Sequence, residues 1–164
     1  MIVVVVSDTS PIRCLVHISH IDILPALFGK VLVPPAVVNE LANPSGAFAP
    51  IDFQTLPGLI LQAPHTLAHV QPRYGVLHPG ETEALALAIE LGANALLMDD
   101  QAGRSAAELA GIQPIGTIGI LLRAKKRNLI QSVKPILDKL ILDLNFFVST
   151  ELRQRALSLA NETD

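Results

Sequence analysis

Ile2-Val3-Val4-Val5-Val6-Ser7-Asp8-Thr9-Ser10-Pro11 opens with five consecutive apolar residues, all β-branched, and runs straight into a helix-start signal. No polar alternation interrupts the run, as expected of a strand covered on both faces by helices. Ser10 is a suitable N-cap and Pro11 a suitable first helical residue: the hydroxyl takes up a free backbone N–H, and proline has none to lose. Asp8 is then free to point into a cleft just past the strand. Ala95-Leu96-Leu97-Met98-Asp99-Asp100 repeats the pattern, an apolar run ending in acids.

Between and beyond these two stretches, strands and helices alternate. The first strand is predicted over about residues 2–7, with helices to His17 and over about 21–28. Val31-Leu32-Val33 is the next strand, and Pro34-Pro35 starts a helix through about Ala42. Leu59-Ile60-Leu61-Gln62 reads as an edge strand inside an otherwise loop-like region, 44–76. A helix over about 81–91 stops at Gly92, a strand covers 95–98, and a helix over about 102–110 stops at Gly111. Pro114-Ile115-Gly116 is a short strand or turn, followed by helices over about 118–127, 132–142 and 151–160. The alternation predicts a three-layer α/β/α sandwich with a mostly parallel central sheet. We read residues 1–164 as a single domain, with a core over about 2–120 and a helical C-terminal extension over about 121–164.

Composition narrows the function. Half of the chain is hydrophobic and 16% is charged, which excludes a disordered chain. Aromatics make up 4% with no Trp, so platforms for stacked bases are few. The net charge of −3 gives no global attraction for nucleic acid, and any binding needs a local basic patch. Cys14 is the only cysteine, so no internal disulfide forms, and a small buried hydrophobe in a reducing compartment is expected. Ile2–Val6 is too short to span a membrane and no basic segment precedes it, so a soluble cytoplasmic protein is expected. Its apolar, Ala/Leu-rich character suits a homodimer.

The carboxylates carry the chemistry. Asp8 and Asp99 follow strand ends, the place where open parallel sheets bind ligands. Glu40 lies three residues after Val37 on one side of a short helix. Glu81 lies near the apolar stripe of its helix (Ala84, Leu87, Ala88, Leu91), whereas Glu83 falls farther round towards solvent. Successive strand residues point opposite ways, so only one of Asp99 and Asp100 is expected to face a shared site; Asp99 is preferred, with Asp100 and Glu83 as alternates. Carboxylates converging beside a core repel one another and need shared protons or a cation. Hard oxygen donors favour Mg²⁺ or Mn²⁺, ions that can orient water and neutralise a phosphodiester.

At these residues the chain resembles the PIN-domain family of metal-dependent ribonucleases. The resemblance spans roughly 2–120 and rests on Val-Ser-Asp8-Thr-Ser, Val-Pro-Pro-Ala-Val-Val-Asn-Glu40-Leu, Gly-Glu81-Thr-Glu83 at a helix start, and Leu-Met-Asp99-Asp100. The segment Gly116-Thr117-Ile118-Gly119-Ile120-Leu121 is similar to that of a branch of unassigned function. Two departures stand out: a Glu rather than Asp at 81, and Leu97 where a hydroxyl residue is often found. The resemblance implies a metal-dependent endoribonuclease, often a toxin paired with a small antitoxin. Asp8, Glu40, Glu81 and Asp99 are then the catalytic and metal-holding residues, and Ser10 and Arg104 the contacts to water, ligand or RNA phosphate. A PIN-like binding module with weak or no catalysis, acting through a protein partner or RNA, is the alternative.

Other features read structurally. Arg123, Lys125, Lys126 and Arg127 cluster at a helix end, where cations complement the dipole. His65 and His69 have helical metal spacing but lack the intervening Glu of a zinc protease and follow Pro64. No phosphate-binding G-x-x-x-x-G-K-[ST] loop is present.

Overall fold

The structure, a computed structural model, describes residues 3–164. Five short parallel strands form one sheet: β1 (Val5–Ser7), β2 (Val31–Val33), β3 (Leu59–Leu61), β4 (Ala95–Leu97) and β5 (Pro114–Ile115). Their order across the sheet is β3-β2-β1-β4-β5. The chain therefore winds one way from β1 to β3 and the other way from β4 to β5. The reversal falls between β1 and β4, and a crevice opens at the carboxyl ends of those two strands.

Ile2, assigned to the first strand by sequence, lies outside the described residues, and the ladder begins only at Val5. Val4 turns to Asn94 instead, receiving its backbone N–H and donating to its side-chain oxygen, each at 2.8 Å. The edge strand predicted at 59–62 forms as β3 and pairs in parallel with β2. The rest of the loop-like region holds two short 3₁₀ turns, Phe53–Thr55 and Pro72–Tyr74.

Among the described residues eight helices flank the sheet: α1 (Thr9–His17), α2 (Ile23–Phe28), α3 (Pro35–Ala42), α4 (Pro79–Leu91), α5 (Gln101–Leu109), α6 (Thr117–Lys126), α7 (Lys134–Leu144) and α8 (Thr150–Leu159). Strand alternation divides the core in two. Val5, Val31, Val33 and Leu97 pack with Ile12, Leu15, Val37, Leu121 and Leu137 on one face. Val6, Leu96 and Met98 pack with Leu85, Leu87 and Ala106 on the other. This makes three layers, and it explains why neither β1 nor β4 shows a polar face in sequence.

Helix ends follow local chemistry. Gly92 closes α4 in the left-handed region (φ 58°, ψ 47°), a conformation that costs glycine little. Pro135 does not break α7 because it stands in the first turn, where no backbone N–H is needed. The predicted start of α1 is corrected: Asp8, not Ser10, occupies the N-cap position, and Pro11 is the third helical residue, still free of the intrahelical ladder. In the extension, Glu162 accepts the backbone N–H groups of Val133 and Lys134 and pairs with Lys125 at 2.8 Å, tying the tail to the start of α7. Among the described residues no helix is long and apolar enough to cross a membrane.

The two-faced core sets an expectation for stability. Leu97→Ala, at a fully buried position in the central sheet, should cost about 2–5 kcal/mol by urea denaturation. Leu142→Ala, at a side chain 83% exposed, should stay within about 0.5 kcal/mol of the parent.

Candidate active site

Asp8 is fixed by the backbone: its N–H continues the β1–β4 pairing to Leu97 O at 2.9 Å. The side chain is only 5% exposed, and its Oδ1 has no hydrogen-bond partner. Burial pushes its pKa from 3.8 up to about 7, a bond from the Thr9 backbone opposes this, and the charges of Glu81, Glu40 and Asp99 push the same way as burial.

Glu40 reaches the crevice from α3. Thr9 Oγ1 donates to its Oε1 at 2.9 Å, while its Oε2 is buried and unpartnered. Gly80 makes room for it: a Cβ there would lie 2.2 Å from Glu40 Oε2. Glu81, the third residue of α4, reaches back to cap its own helix by accepting the His78 N–H at 2.9 Å through Oε1. Its Oε2 is also buried and unpartnered, and the approach of α5 at Gly103 leaves a point 3.0 Å from that oxygen where any other residue would place a Cβ. Burial holds the Glu81 pKa up, and neighbouring Asp100 adds to the effect.

Asp8, Glu40, Glu81 and Asp100 line one cavity of about 240 Å³, together with Thr9, Arg13 and His78. Asp100 also caps α5, accepting the Gly103 N–H at 3.2 Å. Asp99 lies next door and is fully engaged: Oδ1 accepts Thr117 N–H at 2.7 Å, and Oδ2 accepts the hydroxyls of Ser10 at 2.8 Å and Thr117 at 2.7 Å. Ser10 is therefore spent on Asp99 rather than on capping α1. Glu83, expected near solvent, instead accepts the Ala36 N–H at 3.0 Å and pins the first turn of α3 to α4. Arg104 donates to Met98 O at 3.1 Å and forms no ion pair among the described residues.

Arg13 escapes the sequence reading. Its guanidinium donates to Glu40 O at 2.6 Å and Asn43 O at 3.2 Å, and it lies 5.2 Å from the centre of the Phe48 ring. The available signal is helical spacing: Thr9 and Arg13 are four apart, so both face α3 once Asp8 is known to begin the helix. Cys14 stays a buried hydrophobe, its thiol pushed up to about 12 by burial first and by Asp99 second.

Three buried, unpartnered carboxylate oxygens around one cavity are an all-oxygen donor set that suits a hard divalent cation. The other oxygens of Glu40 and Glu81 are held by Thr9 and His78, and among the described residues no group of three or more His, Cys, Asp or Glu side chains stands close enough to hold a metal ion without moving.

For the metal-free chain the sign of the pH dependence follows from Asp8. Between about pH 4 and pH 7 the folded state holds a proton that the unfolded state has lost. Stability should fall as pH rises through that window, by at most on the order of 4 kcal/mol. Asp8→Asn should flatten this part of the curve and be more stable than the parent at pH 8, as read by urea denaturation across pH.

No curated protein and no solved structure matches the chain. A family model described as a PIN domain matches residues 4–162, almost the whole length, and the chain belongs to the PIN-domain family.

Proposed function

We propose that the chain is a divalent-metal-dependent endoribonuclease. The observation that carries this reading is the set of buried oxygens without partners on Asp8, Glu40 and Glu81, all lining one cavity at the switch point of the sheet. An unsatisfied buried carboxylate oxygen is costly, and three together are costlier because their charges repel. Such a site repels phosphate unless a cation enters.

Asp8, Glu40 and Glu81 would hold Mg²⁺ or Mn²⁺, with Asp100 on the same wall. When bound, the cation supplies neutralisation of the phosphodiester charge and activation of a water. The chain's own residues prepare the place. Thr9 and Arg13 fix Glu40 from α1, Glu83 anchors the helix that carries it, and His78 fixes one oxygen of Glu81. Asp99 ties Ser10 and Thr117 together at the rim.

Single-turnover cleavage of a mixed RNA pool with Mn²⁺ tests the reading. Asp8→Asn should slow cleavage at least about 100-fold, and chelation should abolish it. A thermal melt supplies a second readout: Mn²⁺ at about 100 times its Kd should add about 2.7 kcal/mol to the parent and nothing to Asp8→Asn. Equal cleavage and equal melts for both chains would sink the proposal. Cleavage absent from both, with RNA binding retained, would favour a binding module.

Gly80→Ala keeps every carboxylate but places a Cβ where Glu40 Oε2 now lies. Alanine suits a helix better than glycine, but Glu40 must shift away from Thr9, so apo stability should fall by no more than about 1 kcal/mol, the worth of that hydrogen bond. The Mn²⁺ concentration needed for half of the melting shift should rise about tenfold.

A further inference from the structure

A second, larger hollow adjoins the acid cavity. Its volume is about 1150 Å³, and Ser10, Phe48 and Asp100 line both spaces, so the two are direct neighbours. One wall belongs to α5 and α6; the opposite wall is the segment between α7 and α8, including Asn145, Phe146 and Phe147.

Two arginines lie on its α5–α6 side, each against a glycine. Arg104 Nη1 is 2.9 Å from where a Cβ of Gly116 would stand, and Arg123 Nη1 is 3.3 Å from that of Gly119. The glycines of the Gly116-Thr117-Ile118-Gly119 segment therefore leave the space these guanidinium groups use. Each arginine donates to one backbone carbonyl, Met98 O for Arg104 and Gly119 O for Arg123, both at 3.1 Å. Neither pairs with a carboxylate among the described residues, so N–H donors remain for a ligand. Of the basic run at 123–127, Arg123 alone lines the hollow, while Lys125 pairs with Glu162 and Arg127 bonds Ala26 O. The carboxylates at hand are Asp99, whose oxygens are taken by Ser10 and Thr117, and Asp100 at the acid-cavity end.

Half of the aromatic residues lie in the same place. The chain has five Phe, one Tyr and no Trp. Phe48, Phe146 and Phe147 line the hollow, and Phe147 is 88% exposed. Two guanidinium groups without ion pairs and one exposed ring, in a hollow beside the acid cavity, match the chemistry of a single strand: phosphates on the cations, a base on the ring.

We infer that this hollow is the strand channel for single-stranded RNA on one side of the scissile phosphate. Arg104 and Arg123 take phosphates, Phe147 stacks a base, and the C-terminal segment forms the channel wall. The inference rests on the endoribonuclease reading for its occupant. It assigns a substrate role to Arg123, Phe147 and the glycine pair.

The experiment is anisotropy of the full chain with a labelled single-stranded RNA of roughly twelve nucleotides in EDTA, where no cleavage is required. Arg123→Ala should weaken binding and lower the slope of log K against log salt by about 0.7, while Arg123→Lys keeps the slope. Phe147→Ala should weaken binding about tenfold; Phe147→Trp should restore it and Phe147→Leu should not. Phe147 is exposed, so these variants should melt like the parent. In Mn²⁺, the same variants should raise the RNA concentration for half-maximal single-turnover cleavage of the long strand and leave a trinucleotide unaffected. Parent-like binding by both Arg123→Ala and Phe147→Ala overturns the channel, even if Asp8→Asn abolishes cleavage and the nuclease reading stands. Full binding by Phe147→Leu also overturns it and points to an apolar protein contact. Binding that responds as stated without any cleavage supports the channel and removes the nuclease.

Discussion

Burying an aspartate at the carboxyl end of the central strand is the constraint on which this molecule turns. Asp8 cannot leave the interior, because its own N–H belongs to the β1–β4 pairing and its neighbours Val5 to Ser7 are sealed between two helical layers. A bond from the Thr9 backbone compensates it only in part: one oxygen has no partner, and the charges of Glu81, Glu40 and Asp99 are of the same sign. A chain stabilised by burial alone would place an apolar residue here, since uncompensated buried charge costs more than it returns. Retaining the acid makes sense only if the site has a second state, with a proton or a cation on Asp8.

The two glutamates depend on that first placement. Glu40 is oriented by Thr9, the residue after Asp8, and by Arg13 one turn further along α1. The helix that carries it is pinned through Ala36 to Glu83 of α4, the helix that also carries Glu81. Gly80 then lets α4 come close enough for both glutamates to share the cavity. None of these bonds is strong alone, since a net hydrogen bond contributes about 1 kcal/mol. Their value is geometric: Thr9 fixes the Glu40 carboxylate, while Arg13 and Glu83 fix the backbone of the helix that carries it.

Much of the fold was legible because parallel strands buried on both faces need unbroken apolar runs, and Val31–Val33 and Ala95–Leu97 supply them. Helix ends were legible where glycine or proline enforces a stop or start, as at Gly92 and Pro35. Legibility fails where a side chain serves a distant element. Ser10 looks like a cap in its own segment, yet its hydroxyl goes to Asp99, eighty-nine residues away. Glu83 looks like a solvated flank until α3 is packed beside it. The basic run at 123–127 looks uniform until Glu162 claims Lys125 and leaves Arg123 facing the groove. Local propensity carries no information on such partners.

The pair Asp99-Asp100 shows how one turn divides two tasks. Asp100 caps α5 and faces the acid cavity. Asp99 gathers α1 through Ser10 and the first turn of α6 through Thr117, so it hangs two helices from the end of β4. Its charge is also among those that push Asp8 up. The same carboxylate thus borders the acid cavity and holds the helix carrying Gly119 and Arg123. A change that loosens Asp99 from Thr117 would disturb the electrostatics of the cavity and the floor of the adjoining groove together. Asp99 therefore fixes the floor of the groove, and the segment between α7 and α8 supplies its wall.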